Sequence, residues 1–294
     1  MGTSFLYHYH CLKNRRGFDE VILRNWKWRI TALISMGLVL LLAACGSGEE
    51  TSSEENGASD AAEYDLNDSY TVVSDNSFVP FEFVENGELQ GFDIEIINAI
   101  AEEAGFEIAG GEIETTNFDG IIPGLQTGQF EIAIAGISIT EDRAKVIDYS
   151  DPYYESGITI GVPIDNEDIQ SLEDLEGKTV ATRLGSTSAN FIRENLDDVT
   201  LNEYEQLDQV YLAVENGSAD AVVYDAPNVN YYISTTGEGK LKSIDELYQA
   251  EDYGIAITKG NEDLVSAIND ALATLKENGT YDEIYEKWFG AAEE

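Results

Sequence analysis

The sequence predicts an α/β fold. Three observations carry that reading. From Ser69 onward, short β-branched runs alternate with segments of helical periodicity. The helical segments close on glycine, and clusters of Ser, Asp, Asn and Gly follow the strand candidates. At 294 residues the chain is long enough for one large domain or two ordinary ones.

The elements begin after a leader and a tether. Ile30 to Ala44 is an uncharged apolar run preceded by Arg24, Lys27 and Arg29, so residues 1–44 read as a secretory signal peptide. At about 15 residues the run is shorter than the roughly 20 that a membrane-spanning helix needs. Its end, Leu42-Ala43-Ala44-Cys45, resembles a bacterial lipobox. That resemblance implies a mature N-terminus at Cys45 carrying a lipid (a diacylglycerol thioether with palmitate-type acyl chains). Ordinary cleavage after an A-x-A-like site is the alternative. Residues 45–68 are rich in Gly, Ser and Glu with almost no large apolar side chain, the composition of a tether.

Tyr70 to Val73 is the first strand candidate. Asp93 reads as the N-cap of a helix in which Ile94, Ile97, Ile100, Ala101 and Ala104 recur at helical spacing, and Gly105 ends it. A strand near Phe106 to Ile113, a helix near Phe118 to Gln126 and a strand at Glu131 to Ala135 follow. A second set contains strands at Ile158 to Val162 and Thr179 to Thr182, a helix opened by Ser186-Thr187-Ser188, and a strand at Ala221 to Tyr224. The last set is Tyr253 to Ile257 and two helical stretches, Asn261 to Lys276 and Tyr281 to Trp288. Gly128 to Ile134 and Gly217 to Val223 echo one another: a helix-ending glycine, an acidic residue three positions on, then an apolar strand.

Charge and missing residue types exclude several chemistries. The chain carries 57 acidic and 16 basic side chains. Residues 46–294 keep 55 acidic against 10 basic, a net of −45, which opposes nucleic-acid binding. Both histidines, His8 and His10, and Cys11 precede the apolar run. A mature chain whose sole cysteine is lipidated has no disulfide, no Cys or His metal ligand, no imidazole base and no thiol nucleophile. No metal and no cofactor is expected, and only carboxylate or lysine chemistry stays open.

Ligands of open α/β sheets bind beyond the carboxyl ends of the strands. Those ends are Ser74 to Phe78, Ala135 to Ser138, Arg183 to Ser188, and Tyr224-Asp225. They combine both charge signs with backbone donors, as a zwitterion requires. Thr140 reads as a helix N-cap, with Glu141 and Asp142 suited to the positive end of the dipole. Arg143 in that first turn is not, and it fits either a carboxylate held bidentately or a surface pairing with the neighbouring acids. Asp225 ends an apolar strand, where it fits an α-ammonium or a helix cap. The helix start at Ser186 to Ser188 offers backbone N–H groups to an anion. Phe78 and Phe118 fit a pocket wall or plain core.

Several long motifs carry a family resemblance: Asp75-Asn76-Ser77-Phe78-Val79-Pro80-Phe81-Glu82-Phe83, Gly91-Phe92-Asp93-Ile94, Ala135 to Arg143, and Asp148 to Tyr154. In this order they resemble the polar amino-acid binding proteins of ABC transporters, bacterial solute-binding protein family 3, from about Tyr70 to Gly290. Ala219 to Asn228 and Glu277 to Gly290 are similar to the glutamine-binding branch.

The resemblance implies a bilobal, type II periplasmic-binding-protein fold. Residues 69–152 plus 253–294 form one lobe and residues 153–252 form the hinge and the second lobe, with crossings near Tyr153 to Gly157 and Gln249 to Asp252. It assigns Arg143 to the ligand carboxylate, Asp225 to the α-ammonium, and Gly136 and Ser138 to the surrounding shells. Ala135, Ser186 and Thr187 join the same strand-end set, and Phe78 and Phe118 flank the aliphatic part of the ligand. Asp75 accepts from a side-chain amide and Arg183 donates to its oxygen, with Tyr224 nearby. Lysine and histidine are expected in the glutamine branch where this chain has Arg183 and Tyr224, which leaves room for glutamate or another polar amino acid. The protein so implied is a monomer without enzymatic activity. It is exported to the outer face of the cell membrane and delivers its amino acid to an ABC permease. Two rivals on the same fold are a cyclohexadienyl-dehydratase-like enzyme and a sensor input domain. A third is a surface interaction protein without a small ligand.

Overall fold

A computed structural model describes residues 64–244 and 246–290. The leader, Cys45, the tether up to residue 63 and residues 291–294 lie outside the described residues. Among the described residues no helix is long and apolar enough to cross a membrane.

Two sheets with the same internal order organise the molecule. In the first, the strands run Glu114–Thr115, Val72–Ser74, Ile132–Ala133, Ala256–Thr258, Ile147–Tyr149. In the second they run Thr200–Tyr204, Thr179–Arg183, Ala221–Asp225, Tyr154–Pro163, Leu241–Ser243, with Tyr248–Tyr253 also paired to Tyr154–Pro163. Each sheet opens with three parallel strands, and a strand arriving from the other half of the molecule then pairs antiparallel. The echo in the sequence has a structural counterpart. Ile132–Ala133 and Ala221–Asp225 hold the same central place in their sheets, where burial on both faces requires uninterrupted apolar residues.

The helices follow from their patterns. Phe92–Ala104 buries Phe92, Ile94, Ile96, Ile97, Ile100 and Ala101 and stops at Gly105, whose left-handed backbone lets its N–H reach the Ala101 carbonyl. Its N-cap is Gly91 rather than Asp93, and Asp93 lies inside the first turn, fully buried. Phe118–Thr127, Thr187–Asn195, Glu262–Asn278 and Thr280–Phe289 stand within a few residues of the expected helices. The strands are more broken than expected. Tyr70 to Val73 divides into Ser69–Tyr70 and Val72–Ser74, which pair with different partners. The run Phe106 to Ile113 holds only Glu107–Ile108, because Ala109–Gly111 turns away with Gly110 at φ 74°.

The two crossings between the sheets pair with each other, Tyr154 opposite Tyr253 and Ser156 opposite Glu251, with a bulge at Gly157/Ile158. The fold is therefore two α/β lobes joined by a pair of strands, and the carboxyl ends of the parallel strands of both lobes meet across the seam.

Candidate functional site

Asp75 and Arg183 form a fully buried ion pair across that seam. Asp75 follows the strand Val72–Ser74 and Arg183 ends Thr179–Arg183. Arg183 Nη1 lies 2.7 Å from Asp75 Oδ2, and both side chains are 0% exposed. Arg183 Nη2 donates to Ser77 Oγ at 3.2 Å and to the Glu205 carbonyl at 3.3 Å. Burial works against the guanidinium charge, but Tyr224 and Asp75 beside it outweigh burial and raise its pKa above the ordinary arginine value. Asp75 Oδ1 and Arg183 Nε are buried and have no hydrogen-bond partner among the described residues. The ion-paired couple thus keeps an unused acceptor on Asp75 and an unused donor on Arg183.

Arg143 stands nearer the rim. Its Nη1 donates to the Ser138 carbonyl and its Nη2 to the Gly185 carbonyl, each at 3.1 Å, so it too touches both lobes. The helix that carries it, Glu141–Ala144, has four residues, and its first turn is also its last. The dipole therefore does not disfavour a cation there, which removes the argument that drew attention to this arginine. Thr140 does cap the helix, accepting from the Arg143 N–H at 3.2 Å. The neighbouring acids do not hold Arg143: Asp142 pairs with Lys145, and Arg143 makes no salt bridge among the described residues. Both arginines approach the Phe118 ring, the guanidinium carbon of Arg143 at 5.6 Å and that of Arg183 at 5.2 Å from its centroid.

Asp225, at the end of Ala221–Asp225, is buried and accepts from Tyr253 Oη at 2.6 Å and Ser188 Oγ at 3.1 Å. It stands at the N-cap of the following helix but makes no side-chain cap bond, so its carboxylate serves the seam instead. Burial first, and the charge of Glu251 second, push Asp225 up to about 7.

Gly136 adopts a left-handed backbone at φ 52°, and a Cβ there would sit 2.3 Å from the Phe78 ring. The chain can thus turn sharply under Phe78, and the Gly136 N–H reaches Asp93 Oδ2 at 2.9 Å. Tyr153 Oη donates to the same oxygen at 2.7 Å. Burial raises Asp93 to about 6 against the lowering by these bonds, and it raises the adjoining Glu82 well above the carboxylate range, with Asp93 and Asp75 adding to the effect. Phe78 stacks on Phe81 at 4.8 Å and meets Tyr224 of the other lobe edge-on at 5.9 Å.

Ten of the twelve residues singled out by sequence thus line or brace one seam: Asp75, Phe78, Phe118, Gly136, Ser138, Arg143, Arg183, Thr187, Tyr224 and Asp225. Two have other work in their side chains. Ala135 packs in the core with Phe118, Ile121 and Leu125, and Ser186 is the N-cap of Thr187–Asn195, accepting from the Ala189 N–H at 3.1 Å and donating to the Arg183 carbonyl at 2.8 Å. Sequence reasoning missed Glu251, Tyr253 and Asn228, and of Ser188 it took only the backbone N–H and not the hydroxyl that Asp225 uses. Asn228 Nδ2 donates across the seam to the Val79 carbonyl at 2.6 Å. Ser188 lies inside a strand-end segment that sequence does flag, whereas Glu251 is one acid among many and has no local signature.

Charged side chains of both signs, Arg143 from one lobe and Asp225 from the other, thus stand at the seam, and known proteins share this architecture. The model of the bacterial extracellular solute-binding proteins, family 3, matches residues 70–291. The ABC transporter glutamine-binding protein GlnH of Bacillus subtilis (strain 168) is 35% identical over 262 residues, covering 87% of this chain and 95% of that protein. The structure of an ancestral arginine-binding protein bound to glutamine superposes with a TM-score of 0.72 at 42% identity, covering 76% of this chain and 99% of that one. An ancestral amino acid-binding protein that is a precursor of cyclohexadienyl dehydratase superposes with a TM-score of 0.70 at 39% identity, covering 76% and 96%. By its matched motifs, its two equivalent sheets and its interlobe seam, this chain belongs to family 3 of the bacterial extracellular solute-binding proteins.

Proposed function

We propose that the protein captures a polar L-amino acid, glutamine before others, between its lobes and hands it to the permease of an ABC importer. In this reading residues 69–152 with 253–294, and residues 153–252, move as two bodies about the paired crossings. The exported chain is held to the outer face of the cell membrane through a lipid on Cys45 and works as a monomer without covalent chemistry.

The observation that carries the choice of glutamine is the pair of buried, partnerless atoms, Asp75 Oδ1 and Arg183 Nε. A carboxamide needs one acceptor for its NH2 and one donor for its oxygen, and this ion-paired couple keeps an unused acceptor on Asp75 and an unused donor on Arg183. Arg143 is suited to the α-carboxylate, because its two Nη groups now bond neutral carbonyls and a charged acceptor strengthens such bonds. Asp225, held by Ser188 and Tyr253, is suited to the α-ammonium, and Gly136 and Ser138 to the surrounding shells. Closure is favoured only by contacts that a ligand makes to both lobes.

Isothermal titration of the purified protein against the twenty amino acids tests this. Heat with glutamine at the lowest concentration is the expected result, and Arg143→Ala should lose about a hundredfold or more in affinity. No heat with any amino acid overturns the reading. Tighter binding of arginine, histidine or glutamate than of glutamine overturns the choice of ligand alone. The kinship with a dehydratase precursor favours one other reading, an enzyme acting on prephenate-like acids. Turnover on incubation with such an acid would establish it.

A further inference from the structure

Glu251 lies on the crossing strand Tyr248–Tyr253 and is 7% exposed. Its Oε2 accepts from Ser138 Oγ at 2.6 Å and from Thr187 Oγ1 at 2.7 Å, one hydroxyl from each lobe. Its Oε1 accepts from Gln249 Nε2 at 2.6 Å. Ser138 Oγ and Thr187 Oγ1 stand 3.4 Å apart, so each hydrogen is better placed on the shorter, charge-assisted bond to Glu251 than on the other hydroxyl. A hydroxyl has one hydrogen and two lone pairs. With both hydrogens aimed at Glu251, the two oxygens turn only lone pairs to the rest of the cleft. The adjoining hydroxyls do likewise, since Ser188 and Tyr253 give their hydrogens to the two oxygens of Asp225.

We propose that Glu251 is a positioning residue that makes this end of the cleft a pole for cations, holding Ser138 and Thr187 as acceptors toward the ligand's α-ammonium beside Asp225. The ligand carboxylate is then left to Arg143 and to the backbone N–H groups at the start of Thr187–Asn195. This inference rests on the amino-acid reading above and adds to it a residue that no strand end supplies. The shared field of the two acids supports it: after burial, Glu251 is the largest influence raising Asp225, and an ammonium arriving between them offsets that repulsion. Arg143 acts in the opposite sense on Asp225 and is the cation facing this pole from the first lobe.

The rival role for Glu251 is a strut that ties the lobes whatever is bound, and a ligand lacking the ammonium separates the two. Wild type, Glu251→Gln and Glu251→Ala are titrated with the amino acid that binds wild type most tightly and with its des-amino analogue. Weak binding of the analogue is read by competition against the parent amino acid. Both variants should lose on the order of tenfold or more for the amino acid and little for the analogue. Ser138→Ala and Thr187→Val, which remove the acceptors and keep Glu251, should show the same ligand-dependent loss and keep the test open if a Glu251 variant fails to fold. Equal losses for both ligands overturn the positioning role and leave the amino-acid reading standing. Failure of wild type to bind any amino acid overturns that reading and this inference with it.

Discussion

Asp75 and Arg183 show what a single pair of side chains does when both are fully buried. Removing one partner leaves the other charge without its counter-ion in a water-excluded place, which costs about 3–5 kcal/mol. Arg183→Met should therefore lower the unfolding free energy by that order, seen as a lower denaturation midpoint, while Arg183→Lys should lose far less. Equal midpoints for Arg183→Met and wild type would remove the pair from any account of closure. The buried acids Asp225 and Asp93 predict a pH dependence of the opposite kind from a salt-bridged carboxylate. Burial raises them to about 7 and about 6, whereas in the unfolded chain they titrate near 4. Between those values the native state holds more protons than the unfolded one, so stability is greatest at the acid end and falls as pH rises to about 7. Thermal melting from pH 5 to 8 should show the fall, and Asp225→Asn should flatten its upper part. A wild-type curve that is level over that range would contradict the burial of these groups.

At the scale of elements, the legible parts are those whose determinants are local. Thr187–Asn195 starts where Ser186-Thr187-Ser188 places it, because an N-cap serine satisfies a donor of its own first turn. Ser186→Ala should cost about 1 kcal/mol of stability, as read by chemical denaturation, with no change in the residues that bound the cleft. The long helix Glu262–Asn278 is legible for the same reason, its buried Leu264, Ala267, Ile268, Ala271, Leu272 and Leu275 recurring at helical spacing. Strands are less legible. Val72–Ser74 and Ile132–Ala133 are short, and which residues count as paired depends on neighbours that lie far away in the chain. Asp93 illustrates a different failure. A short acidic residue before an apolar helix reads as a cap, yet here it braces the Gly136 and Tyr153 segments from inside the helix.

The whole molecule is dominated by its charge, a net of −45 over residues 46–294. Self-repulsion at that density destabilises the compact state, and salt screens it beyond about 10 Å at 0.1 M. The melting temperature should rise as NaCl increases from about 0.05 to 1 M, with most of the gain at the lower end. A fall instead would mean that the ion pairs outweigh the repulsion. By itself the sequence determined the α/β alternation, the major helices, the family, the strand-end residues Asp75, Arg183 and Asp225, and Arg143 behind its helix cap Thr140, because periodicity, caps and local motifs are written in consecutive residues. Only the tertiary structure decided that Asp75 and Arg183 pair directly, that Ala135 and Ser186 turn their side chains to core and cap, and that Glu251 gathers the hydroxyls of Ser138 and Thr187. Each of those contacts joins residues that lie far apart in the chain or depends on how the two lobes pack, and no local pattern of residues encodes such a meeting.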